Sequence, residues 1–278
     1  MTFQSFIGIC TVAVALGISS CNSEEKTEPE TKTTGTPAIK EENVTYTADG
    51  VTMNGYIAYD SSNMEKRPVV LVVHEWWGQN DYPRMRAKQL AGLGYLAMAV
   101  DMYGNGQTAD NPVDAAKLSD PFYKDQAMAK TRFDAALAKI KTYPQAGDKI
   151  AAIGYCFGGS MVLNMAKLGD DLAGVVSFHG VLKGNPPADK NLLKAKILVC
   201  HGAADQFTPQ ADIDVFRKQL DSIQANYTFK VYPDATHAFT NPAATEAGKK
   251  FNIPIAYNAA ADTASWNDMK TFFGTIFK

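Results

Sequence analysis

A thiol stands at the centre of Gly154-Tyr155-Cys156-Phe157-Gly158-Gly159. This is the G-x-S-x-G nucleophile frame with cysteine in the place of serine. The flanking glycines suit a tight turn from strand to helix, where a Cβ on either side would not fit. Such a turn also sets the thiol at a helix N-terminus, whose dipole favours thiolate. A nucleophile needs a base, and the base needs a group to orient it. Asp205 follows Cys156 by 49 residues in His201-Gly202-Ala203-Ala204-Asp205, and His237 follows Asp205 by 32 in Pro233-Asp234-Ala235-Thr236-His237. Each lies in a loop just past a β-prone run. Cys156, His237 and Asp205 are therefore the candidate nucleophile, base and orienter of acyl-transfer chemistry.

A fourth loop, Val73-His74-Glu75-Trp76-Trp77-Gly78, follows another apolar run. In a sheet enzyme with this nucleophile frame, that loop and the residue after the nucleophile each supply one backbone N–H to an oxyanion hole. Trp76 and Phe157 are the donors so nominated. Glu75 beside them is a further candidate catalytic residue. Trp77 could line an acyl or ring pocket. All four histidines, His74, His179, His201 and His237, fall near strand ends. A metal site is disfavoured because His74-Glu75-Trp76-Trp77-Gly78 is not H-E-x-x-H and no other pair has helical ligand spacing. His179 and His201 read as hydrogen-bonded structural residues and Cys200 as a buried strand thiol.

The elements that must hold these groups alternate. Val44–Thr47 and Met53–Tyr59 flank Asp49-Gly50, a hairpin signal. Val69–Val73 is a continuous aliphatic run, the mark of a strand buried on both faces. Further strands are expected at Tyr95–Val100, Lys149–Gly154, Ala173–Phe178, Ile197–Cys200 and Tyr227–Tyr232. Helices are expected at Arg84–Leu93, Asp125–Lys141, Ser160–Leu168 and Ala259–Phe277. The alternation predicts an α/β fold, a mostly parallel sheet with helices on both faces, whose chemistry sits at the C-terminal strand ends.

The chain has 278 residues, 46% of them apolar, and a net charge of −2. That is ample for a core, and without a basic stripe it gives no footprint for nucleic acid. Cys10, Cys21, Cys156 and Cys200 are too far apart for a structural zinc site, and four are too few for a disulfide framework. The first 20 residues carry no charged side chain, and Phe6–Ile18 is an apolar run of 13, the length of a signal-peptide core rather than a membrane span. Ile18-Ser19-Ser20-Cys21 resembles the lipobox of bacterial lipoproteins, which implies lipidation at Cys21. Asn22–Glu42 holds six acidic and three basic residues and one aliphatic side chain beyond alanine, so it reads as a flexible tether. The expected organisation is a signal peptide over 1–20, a lipidated cysteine and tether over 21–42, and one domain over 43–278. The product would be an exported lipoprotein, held at a membrane on its periplasmic or cell-surface side.

From about residue 43 onward the chain resembles the dienelactone hydrolase family. The motifs that carry the likeness are His74-Glu75-Trp76-Trp77-Gly78, Asp101-Met102-Tyr103, Gly154-Tyr155-Cys156-Phe157-Gly158-Gly159, His201 to Pro209, and Ala235-Thr236-His237-Ala238-Phe239. The resemblance implies an α/β-hydrolase fold and a Cys156-His237-Asp205 triad attacking an ester or lactone carbonyl. It implies a Glu75 that contacts the resting thiol and takes part in forming the thiolate. It implies no metal or organic cofactor, and Tyr103 enters as a substrate-contact candidate. The pattern departs from the family in two places. No arginine lies within 105–131 to hold a substrate carboxylate, where Lys117, Lys124 or Arg84 would have to serve, and Ala238 stands where a serine would follow the catalytic histidine. Two rival readings stay open: a thioesterase or peptidase on the same triad, and a non-catalytic surface lipoprotein that binds through the fold.

Overall fold

The computed structural model describes residues 1–2, 36–184 and 186–278. The signal-peptide segment, Cys21 and most of the tether therefore lie outside the described residues. Two strands open the fold, β1 (Ile39–Ala48) and β2 (Val51–Asp60), paired antiparallel through Asp49 and Gly50, both at positive φ. That geometry is what an Asp-Gly hairpin turn requires. β1 begins four residues inside the stretch read as tether, which corrects the boundary at 42. Its charged side chains are tied down: Glu41 accepts from the Tyr56 hydroxyl, and Glu42 accepts from Tyr59 at 3.0 Å and Tyr143 at 2.8 Å. A composition argument misses such cross-chain partners.

The chain continues through β3 (Arg67–Val73), α1 (Asp81–Gly92), β4 (Leu96–Val100), α2 (Pro112–Lys124), α3 (Gln126–Ile140), β5 (Ala146–Tyr155) and α4 (Phe157–Lys167). Then come β6 (Gly174–Phe178), β7 (Lys196–Gly202), α5 (Gln210–Ser222), β8 (Tyr227–Tyr232), α6 (Ala244–Phe251) and α7 (Ala259–Ile276). The strands form one sheet in the order β1-β2-β4-β3-β5-β6-β7-β8, parallel from β4 through β8 and antiparallel at β1 and β2. This is the α/β-hydrolase architecture with a mostly parallel sheet.

Alternation along the central strands builds two cores. Val69, Leu71 and Val73 of β3 join one cluster with Phe133 of α3, Met161 of α4 and Phe216 of α5. Val70 and Val72 join the other with Leu90 of α1 and Phe273 of α7. Every residue of the run Val69–Val73 is fully buried, which explains why it reads as unbroken aliphatic sequence. Each such side chain contributes roughly 1.5–3 kcal/mol on burial, so the strand ends sit on a rigid platform. The helix α2 is additional to the helices expected from the sequence; Asn111 caps it and Pro112 opens it.

Candidate active site

Cys156 is placed by the abrupt passage from β5 into α4. It is the N-cap of α4, with φ 52° and ψ −113°, a left-handed backbone that a non-glycine residue adopts only when its surroundings hold it there. The surroundings do so through glycine. A Cβ on Gly154 would strike the Gly158 carbonyl, and one on Gly158 would strike the Val73 carbonyl. The Gly158 N–H donates to the His74 carbonyl at 3.0 Å, closing the elbow onto the end of β3. The thiol is half-buried, whereas Cys200 on β7 is fully buried with its sulfur accepting from the Tyr232 hydroxyl. Burial pushes the Cys200 thiol up to about 12.

The other strand ends converge on Cys156. His237, past β8, shares a cavity with it and pairs through Nδ1 with Asp205 Oδ2 at 2.9 Å. Burial works to lower the pKa of His237. The adjacent Cys156 sulfur and Asp205 carboxylate outweigh it through charge and hydrogen bonding, and the imidazole stays protonated well above its ordinary range. Burial conversely works to raise Asp205, but the hydrogen bond and charge of His237, with the Phe207 N–H at 2.8 Å, hold the carboxyl below its usual range. The Phe207 ring lies 4.9 Å from the imidazole and covers it. His237 is further fixed by a bridge to Ile255.

Glu75 is 3% exposed and lines the same cavity as Cys156. Its hydrogen bond, however, runs to Asn241, whose Nδ2 donates to Oε2 at 2.6 Å. The contact with the resting thiol that the family resemblance implies is thus replaced by an amide four residues beyond His237. Burial raises the Glu75 pKa to about 7, and the Asn241 amide, His237 and Arg86 only partly offset it. Asn241 carries no signal in the sequence, because nothing in an isolated Asn marks a buried partner 166 residues away.

Trp76 lines the cavity, Phe157 follows Cys156 at the start of α4, and the backbone amides of both donate to no backbone carbonyl among the described residues. Two residues brace them. His74 Nδ1 lies 2.5 Å from the Glu75 carbonyl, and its Nε2 accepts from the Met102 N–H at 3.3 Å. Tyr103 is 4% exposed, and its hydroxyl donates to the Trp76 carbonyl at 3.0 Å. Tyr103 therefore stands behind the cavity wall rather than on it, unlike Trp77, which lines the cavity.

The cavity has a volume of about 160 Å³. Around the candidate catalytic groups its wall is mostly apolar: Trp76, Trp77, Val181, Phe207, Ile253 and Ile255, with Ala116, Ser119, Asp120 and Tyr123 supplied by α2. Neither Lys nor Arg lines it among the described residues. The candidate clamps are elsewhere: Arg84 is held by Gln79 Oε1 at 3.1 and 3.0 Å, Lys117 pairs with Asp114 at the surface, and Lys124 closes α2 away from the wall. Arg132, which directly follows residues 105–131, donates to the Tyr103 carbonyl at 3.1 Å.

Residues 53–277 match the family described as the Dienelactone hydrolase family. A curated relative from Aquifex aeolicus, named "Putative carboxymethylenebutenolidase", is 29% identical over 245 residues, 84% of this chain and 98% of its own length. Among solved structures, one titled "m3DLH" is 32% identical with a TM-score of 0.82, covering 87% of this chain and 100% of that one. A dienelactone hydrolase-like promiscuous phosphotriesterase from metagenomic libraries, P91, is 31% identical with a TM-score of 0.80, covering 86% and 99%.

Proposed function

The chain belongs to the dienelactone hydrolase family and is a hydrolase acting on esters, and from that premise we propose that it cleaves carboxylic esters or lactones through an acyl-thioenzyme. The observation that carries this reading is the Asp205–His237 pair facing a thiol on a strained elbow within one cavity. Cys156 attacks the carbonyl carbon as thiolate while His237 holds the proton. The Trp76 and Phe157 N–H groups receive the developing oxyanion, each such donor contributing about 3 kcal/mol to barrier lowering. His237 then protonates the leaving alkoxide, and a water deprotonated by His237 releases the acid and regenerates the thiol. Asp205 fixes the imidazole tautomer and balances its charge. In its ionised form Glu75 takes the Cys156 proton as the thiolate forms and passes it to His237, for which a carboxyl poised near neutrality is suited.

A largely apolar wall without Lys or Arg favours uncharged acyl groups over the small dianionic lactones that a bidentate basic clamp would hold. The same wall suits neutral phosphotriesters, and the P91 likeness makes these a second reading. Cys156→Ala is expected to abolish turnover of short neutral esters in purified protein; undiminished turnover would refute the mechanism. A panel pairing neutral with carboxylate-bearing esters tests the substrate class, with the neutral members turned over faster.

The lipoprotein reading rests on sequence alone: the uncharged leader, Ile18-Ser19-Ser20-Cys21, and the tether composition. More than one acyl chain on Cys21 would hold the enzyme firmly at a membrane surface, where a single chain binds only marginally. Among the described residues no helix is long and apolar enough to cross a membrane. Intact mass of the membrane-extracted protein checks it, since Cys21→Ser should remove the lipid mass.

A further inference from the structure

His179, just past β6, is a buried titratable group that the proposed reaction leaves without a task. Its Nδ1 receives the Cys156 N–H at 3.1 Å, a bond that the Phe178 carbonyl shares at 3.0 Å. A backbone N–H can only donate, so Nδ1 carries a lone pair and the ring proton sits on Nε2. That proton points to Thr240 Oγ1, 2.7 Å away. Thr240 lies three residues past His237 and is itself held. Its Oγ1 is 2.6 Å from the Tyr82 hydroxyl, and its carbonyl accepts from Arg86 Nη2 at 2.7 Å. Arg86 is anchored in turn to Asp262 Oδ1 at 2.6 Å. One imidazole thus links the backbone of the nucleophile to the loop that carries the base.

The link spans three strained positions. Cys156, His179 and Ala238 have φ of 52°, 41° and 58°. Left-handed residues of this kind cost roughly 1–3 kcal/mol each and persist only where neighbouring bonds over-determine them. We propose that His179 is a positioning residue, which by accepting from Cys156 and donating to Thr240 fixes the separation of the Cys156 thiol and the His237 imidazole. The groups facing it keep the ring neutral: burial acts first, then the charge of His237, with its ring 5.3 Å away, and that of Arg86, while the Tyr155 ring lies at 6.0 Å. A second proton would set an Nδ1–H against the Cys156 N–H, donor against donor.

The inference rests on the reading of Cys156 as nucleophile, and the variants separate the two. In the full-length protein His179→Phe keeps a ring and removes both hydrogen bonds. It is expected to lower kcat for a neutral ester about tenfold or more with KM within about twofold, since small misplacements of reacting groups cost rate rather than binding. The pH midpoint for iodoacetamide alkylation of Cys156 should rise with it. His179→Asn, whose amide oxygen can accept from the Cys156 N–H, should recover most of kcat and return the midpoint. Parent-like kcat and midpoint in His179→Phe, or equal losses in both variants in proportion to a lowered Tm, would overturn the proposal and reduce His179 to packing. If Cys156→Ala retained turnover, the nucleophile assignment would fail instead.

Discussion

Two buried carboxylates lie beyond the C-terminal ends of different strands near His237, and their pKa values are shifted in opposite directions. Asp205, beyond β7, has the imidazole and a backbone N–H as partners and stays ionised. Glu75, beyond β3, has one neutral amide as partner and is raised to about 7. Both are buried, so burial is not what separates them. The difference is whether a cation is within hydrogen-bonding distance. A fixed negative charge suits orientation of an imidazole, and a carboxyl near its midpoint suits proton exchange.

The contrast can be broken most severely at Asp205. Asp205→Asn should lower kcat roughly 10³–10⁴-fold by losing the tautomer control and the counter-charge, as steady-state ester hydrolysis will read. Glu75→Gln keeps an acceptor for Asn241 but cannot exchange a proton. It should lower kcat by about 10²-fold and slow thiol alkylation near pH 7; parent values in both would remove Glu75 from the mechanism. Asn241→Leu deletes the one donor to Glu75 and should move the acid limb of the kcat/KM profile to higher pH, with about tenfold loss at pH 6. Tyr103→Phe frees the Trp76 carbonyl and should cost about threefold in kcat with little change in KM.

Stability tests the same contrast with the opposite sign. Glu75 is raised from 4.5 to about 7, so its stabilising contribution is complete below pH 4.5 and is lost as pH rises through 7. Glu75→Gln should therefore be more stable than the parent at pH 8, by up to roughly 3 kcal/mol in unfolding free energy, with the gap closing below pH 4.5. Asp205 is lowered, so its contribution is present above the ordinary carboxylate range and lost as pH falls through its depressed value. Asp205→Asn should melt lower than the parent at neutral pH and converge with it in acid.

The legible parts of this molecule were those governed by local pattern. The Val69–Val73 run, the Asp49-Gly50 turn and the glycine frame around Cys156 each impose their backbone through neighbours in sequence, so they could be read directly. The order Cys156, Asp205, His237 was legible because strand ends are where an α/β sheet presents its loops. What is not legible depends on contacts between distant segments. Asn241 matters through Glu75 and Thr240 through His179, and an isolated Asn or Thr carries no mark of such partners; Tyr103, expected as a substrate contact, instead braces the Trp76 carbonyl from behind the wall. The start of β1 at Ile39 escaped because Glu41 and Glu42 look solvated until the tyrosines across the sheet are in place.

The state of Cys200 has a practical consequence. With its sulfur sealed in the core against Tyr232 and its thiol raised to about 12, Cys200 is closed to alkylating reagents at neutral pH. Among the described residues that leaves a single addressable thiol, and it is the one on the elbow. A fluorophore or mass tag attached there reports active-site occupancy, with no competing label on the domain's other described cysteine.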